Sequence, residues 1–128
     1  MAGIVLARAI DVMDRPWEWG KADCCTAACD VFRALHGIDP MASLRGRYMT
    51  RREAHRIIRD MGGFVAMAET LAASAGLSAG HGEPGEIGVA EHDGGLALVI
   101  AVGPGAWAGK TLTGMTTVPE ALEFWRAP

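Results

Sequence analysis

The stretch from Arg15 to Thr26 constrains the chain more than any other, because it sets a Gly-bounded turn directly before a helix that opens on two cysteines. Asp23 is a good N-cap and Gly37 a good C′ residue, which predicts a helix from Asp23 to His36. Helical spacing puts Cys25, Cys29, Phe32 and His36 on one line and Cys24, Ala28, Val31 and Leu35 on the next. Most of this helix's circumference is therefore apolar or small, and such a helix is buried on both sides, so the remaining elements must pack around it. The position of the cysteines also bears on chemistry. A thiol in the first helical turn meets unpaired backbone N–H groups and the positive end of the helix dipole, which favour the thiolate and make a nucleophile. The plain alternative is a small apolar residue at a helix start.

The other elements follow from periodicity and punctuation. Ala2 to Met13 has near-helical apolar spacing and ends before Pro16, which predicts a covering helix. Thr50 and Glu53 form a capping-box pattern for a helix running to Met61, stopped by Gly62-Gly63. A further helix from Phe64 to about Ala75 is expected to pack on the Cys-bearing one. From Gly85 the pattern turns to strands. Ile87 to Ala90 is the first, Glu91 to Gly95 reads as a polar turn, and the unbroken apolar run Leu96 to Val102 reads as a buried central strand. Trp107 to Leu112 and Met115 to Val118 are shorter strands, and Pro119 is placed to start a helical turn over Glu120 to Trp125. Helices followed by an antiparallel sheet give an α+β fold. With 128 residues, half of them hydrophobic, and no linker-like stretch, the expectation is one domain over 1–128.

Charge and cysteine usage exclude several classes. A net charge of −3 does not suit a surface given over to nucleic acid, and no apolar run reaches the roughly 18 residues of a membrane span. Met1 to Ile10 lacks the basic start and long apolar core of an export signal, so synthesis in the cytoplasm without a leader is expected. Three cysteines do not suggest a disulfide framework. Neighbouring helical residues point about 100° apart, so Cys24 and Cys25 do not converge on one ion, and no metal or other cofactor is expected. Arg45, Arg47, Arg51, Arg52, Arg56 and Arg59 supply half of the chain's 12 lysines and arginines. They read as a surface for an acidic partner or, more plainly, as a solvated helix face.

Trp19-Gly20 a few residues before Asp23-Cys24 resembles the NlpC/P60 cysteine peptidases, papain-like enzymes that cut peptidoglycan stem peptides. Glu83-Pro84-Gly85-Glu86-Ile87-Gly88-Val89 is similar to that family's segment leading into its first core strand. The stretch Leu44-Arg45-Gly46-Arg47-Tyr48 and the closing Pro119 to Trp125 are most similar to a small branch carried by tailed phages and prophages. The resemblance implies a papain-like fold with the Cys helix across the sheet and Cys24 as nucleophile. It also implies tail-tip or hub proteins and peptidoglycan stem peptides as partners, and a place in the virion tail.

The acid–base partner departs from that pattern. A cysteine hydrolase needs an imidazole to take the thiol proton and return it to the leaving amine. The family's His would fall near Leu96 or Ala97, and its third group around Gly105 to Ala108, where no such side chain stands. Trp17 replaces the family's Tyr and offers an indole N–H as oxyanion donor. His92, four residues early, is the first candidate for a displaced base. His81 is the second, His36 lies about 18 Å along the helix from Cys24, and His55 reads as surface. Three functions stay open: a peptidoglycan endopeptidase, a tail-tip component that keeps the fold without the chemistry, and an adaptor binding through the arginines.

Overall fold

A computed structural model describes residues 1–128 as four helices and a six-stranded sheet: α1 (Ala2–Met13), α2 (Cys24–His36), α3 (Arg51–Asp60), α4 (Phe64–Ser74), β1 (Ser78–Ala79), β2 (Ile87–His92), β3 (Gly95–Gly103), β4 (Ala106–Lys110), β5 (Met115–Val118) and β6 (Glu123–Arg126). The sheet is antiparallel throughout, in the order β1-β6-β2-β3-β4-β5. The α+β expectation holds. Helix α2 crosses β3 and is covered by α1, and its residues Cys25 to Cys29, Val31 and Phe32 are all buried. No helix is long and apolar enough to cross a membrane.

The apolar run of β3 is explained by a sheet buried on both faces. Leu98, Ile100 and Val102 join α2 in the main core with Ile87 and Val89 of β2. Val99 and Ala101 point the other way, into a second cluster with Ala90 and Trp107. Alternation along a strand sends successive side chains to opposite faces, so such a strand shows no polar positions to mark its period.

Three expectations are corrected. The polar turn is shorter than Glu91 to Gly95: pairing runs on to His92 opposite Gly95, and only Asp93 and Gly94 connect the strands, with φ of 50° and 74°. Two residues with positive φ make the tight hairpin whose twist matches the sheet. The segment after Pro119 forms strand β6 instead of a helical turn, because it fits between β1 and β2 with an apolar side chain for each face. Phe124 lies against Trp107 at a ring-centroid distance of 5.2 Å, and Trp125 packs against the main core. Helix α4 has α3 as its close helical neighbour instead of α2. Its residues Ala68, Leu71 and Ala72 meet Ile87, Leu98 and Trp125 over one end of the sheet.

The α1–α2 connection is pinned from the sheet side. Lys110, 4% exposed, donates from Nζ to the carbonyls of Arg15, Thr111 (2.8 Å) and Gly114 (3.4 Å). An ammonium has three hydrogens, and three main-chain oxygens take them. The Trp17 N–H adds a bond to the Leu112 carbonyl at 2.8 Å. The loop before the cysteines is thereby tied to the β4–β5 hairpin.

Candidate active site at the start of helix α2

Asp23 organises the site. Its Oδ1 accepts from the Thr26 N–H (2.9 Å) and hydroxyl (3.1 Å), and its Oδ2 from the Gly20 N–H (2.8 Å) and the Tyr48 hydroxyl (2.7 Å). The Asp23 N–H donates to Thr26 Oγ1 at 2.9 Å, which completes a reciprocal cap. This carboxylate therefore fixes the helix start, the preceding turn and a loop 25 residues away. Gly20 makes the turn possible: its φ is +85°, and a Cβ at this position would lie only 2.3 Å from the Tyr48 carbonyl oxygen. Burial, and behind it the Asp23 charge, push the Tyr48 phenol far above its ordinary value, so it stays a proton donor to Asp23.

Cys24 borders a cleft of about 480 Å³ whose walls include Trp17, Trp19, Tyr48, Ile58, Met67 and Leu96. Cys25, more deeply buried, stands with its sulfur 3.8 Å from that of Cys24. The hydrogen bond with the Cys25 thiol is the largest influence on Cys24 and lowers its pKa. Burial works against it, the Leu98 backbone N–H adds to the lowering, and the net value is below that of an ordinary thiol. Cys25 goes well above it, through the same hydrogen bond and then burial. Of the two, Cys24 is the one that ionises more readily, and the Cys25 thiol is placed to donate to it when it does. Cys29 is raised by burial and takes no part.

Trp17 and Trp19 meet edge to face with centroids 5.0 Å apart, just before the helix start. The Trp17 indole Nε1 is buried and has no hydrogen-bond partner. An orphaned buried donor costs about 1–3 kcal/mol.

The histidines separate cleanly. In β2, Ile87 and Val89 face α2 while Ala90 faces the second cluster, so alternation puts His92 on the sheet face away from Cys24. Its Nε2 lies 3.2 Å from the Asp93 carboxylate. His92 is therefore not placed as the base. His81 shares a hollow with His36 at the far end of α2, which removes the second candidate. His36 packs on Phe32 and bonds the Gly85 carbonyl at 2.9 Å. His55 alone among the four lines the cleft with Cys24, its ring edge-on to Trp19 at 6.4 Å. Leu96, on the same strand face as Leu98, stands in the cleft where the resemblance expected an imidazole.

The arginines also divide. Arg45 is turned inward, paired with Asp39 at 2.7 and 3.1 Å and with Asp30 at 2.7 Å. It ties α2 to the following loop and is not free for a partner. Arg47 is exposed, while Arg51, Arg52, Arg56 and Arg59 line one open hollow with His55. No group of three or more His, Cys, Asp or Glu side chains is placed to hold a metal ion.

Sequence reasoning missed Tyr48, Cys25 as proton donor, and His55. Nothing in the spacing joins Tyr48 to Asp23. The i, i+4 run of His55 with Arg51 and Arg59 did mark its face, but not what that face borders.

No curated protein and no solved structure matches the chain. A family model described as a domain of unknown function, DUF6950, matches residues 5–127, and the chain belongs to that family.

Proposed function

We propose that this chain is a small papain-like protein of NlpC/P60 type in which Cys24 is a nucleophile toward acyl carbonyls. The observation that carries the reading is Cys24 in the wall of a cleft, on a capped helix N-terminus, with the Cys25 sulfur 3.8 Å from its own and the Leu98 N–H lowering its pKa. In the reaction the thiolate adds to a carbonyl carbon, the oxyanion gathers donors, and the C–N bond breaks as the leaving amine takes a proton. Water then cleaves the thioester and regenerates the thiol. Stem peptides of peptidoglycan are the substrate that the family resemblance supplies, and a phage tail tip with its hub proteins is the setting.

The proton for the leaving amine has to come from an imidazole or from water, and His55 is the histidine that shares the cleft with Cys24. Leu96 in the cleft favours a second reading, in which the protein keeps the fold as a tail-tip component and has lost turnover. Digestion of muropeptides by wild type and by Cys24→Ala, His55→Ala and His92→Ala tests the choice. The enzyme reading expects cleavage that is lost in Cys24→Ala, sharply reduced in His55→Ala and retained in His92→Ala. A Cys24 that alkylates readily without any muropeptide cleavage by wild type supports the structural role.

A further inference from the structure

Helix α3 carries a second feature that Cys24 chemistry does not use. At about 100° per residue, Arg51, His55, Arg59, Arg52 and Arg56 fall within an arc of roughly 140°. Ala54, Ile57 and Ile58 take the opposite side and line the Cys24 cleft. The five basic side chains border one open surface hollow. Arg51, Arg52 and Arg56 have no carboxylate within ion-pair distance, and the Arg59 pair with Asp60 is long at 3.8 Å and exposed. Like charges one turn apart repel, so this face is an uncompensated arrangement that a bound anion relieves.

The hollow and the cleft share a border: Arg51 and His55 line both, so the Arg51 guanidinium stands at the rim of an apolar chamber. Inside that chamber hydrogen-bonding capacity is scarce, because most of its walls are apolar side chains and the Tyr48 hydroxyl is committed to Asp23. A polar peptide backbone would give up its water there for few partners, whereas an apolar group gives up nothing.

We infer that the cleft and the basic face of α3 form one binding site for a single-chain amphipathic anion, its apolar group beside Trp19 and Cys24 and its phosphate or carboxylate on Arg51, His55 and the neighbouring arginines. The inference shares the cleft with the proposed function but requires no bond to be cut. A wall peptide qualifies only where it presents an apolar side chain next to an anionic group.

Isothermal titration calorimetry with decyl phosphate below its micelle concentration, against decanol and inorganic phosphate, tests this on the full chain. Decyl phosphate is expected to bind about tenfold or more tightly than either half-molecule, with an affinity that falls as salt rises. Arg51→Ala with Arg52→Ala is expected to bring it to the level of decanol, and His92→Ala, on the sheet face away from the cleft, to leave it unchanged. The Trp emission change on binding should shrink in Trp19→Phe. Equal binding of decanol and decyl phosphate, or indifference to the arginine changes in a folded variant, overturns the inference. So does binding of an oligonucleotide or of anionic vesicles to α3 with none of decyl phosphate. Because the titration reads binding without any turnover, a failure of muropeptide cleavage leaves this result standing, and the reverse also holds.

Discussion

Replacing Asp23 by Ala removes one carboxylate that four donors share. Loss of the N-cap costs about 1 kcal/mol, within the usual 0.5–2. The Tyr48 hydroxyl, on a residue 6% exposed, is left without its acceptor and adds about 1–3 kcal/mol. The Gly20 N–H loses its acceptor as well, for about 0.5–1 kcal/mol more. The expected destabilisation is about 3–5 kcal/mol, a large share of the stability of a domain this size. Urea unfolding followed by Trp fluorescence measures it. A cycle with Tyr48→Phe separates the components: Phe leaves no orphaned hydroxyl, so the double variant should lose less than the sum of the singles by about 1 kcal/mol or more. Strict additivity, or a loss below about 1.5 kcal/mol for Asp23→Ala, would refute the view that this carboxylate joins turn, helix and loop.

Alkylation of Cys24 followed by mass spectrometry across pH should show a midpoint below the roughly 8.5 of a free thiol; a midpoint at or above that value would count against the depressed pKa. Because the lowered pKa belongs to the folded state, the stability it contributes appears as pH rises through the folded value and is complete above the unfolded one. Asp23 pushes the Cys24 pKa upward, so Asp23→Asn should move the alkylation midpoint further down where the helix cap survives. Leu96→His places an imidazole in the cleft and is expected to raise hydrolysis of an activated ester by about tenfold or more; an unchanged rate in a folded variant would show that β3 does not face the nucleophile as described. Gly20→Ala should destabilise by more than about 2 kcal/mol, since the new methyl meets the Tyr48 carbonyl at a positive φ, and a neutral result in urea unfolding would contradict that geometry. Lys110→Met leaves three carbonyls without their ammonium and should cost about 2 kcal/mol or more while speeding Cys25 alkylation through a loosened Trp17 loop; unchanged Cys25 labelling would separate Lys110 from the site.

Much of the fold was legible because its helices carry their own punctuation. Asp23 and Gly37 bound α2 within a residue of the expected limits, and Thr50 caps α3, although Glu53 reaches back to the Met49 N–H instead of completing the box on Thr50. Strand β6 was not legible, because a Pro followed by Glu120 and aromatic residues suits a helix start locally, and its strand pairing depends on β1 and β2, more than 30 residues earlier. At the site, Cys24 could be found from its own neighbours. His92 was misassigned because sequence distance does not record a strand face, and moving by one residue moves the side chain across the sheet. Tyr48 and His55 meet the site from a loop and a helix that spacing alone does not bring there.

The place of β6 also bears on how the molecule assembles. As the chain leaves the ribosome, β2 to β5 emerge in order and zip as successive hairpins, each strand pairing with the one just made. Strand β6 is made after all of these, yet it must enter between β1 and β2, both long since synthesised. Until residues 123–126 arrive, β2 presents an open edge with Ile87 and Val89 beside it, and β1 has no partner. Late, non-local pairing of this kind is slow and leaves an edge able to recruit another chain. Nascent chains stalled before residue 123 should therefore be the aggregation-prone species, and the last hydrogen-exchange protection to appear on refolding should be at Gly80 and Leu122, whose N–H groups bond across this late seam.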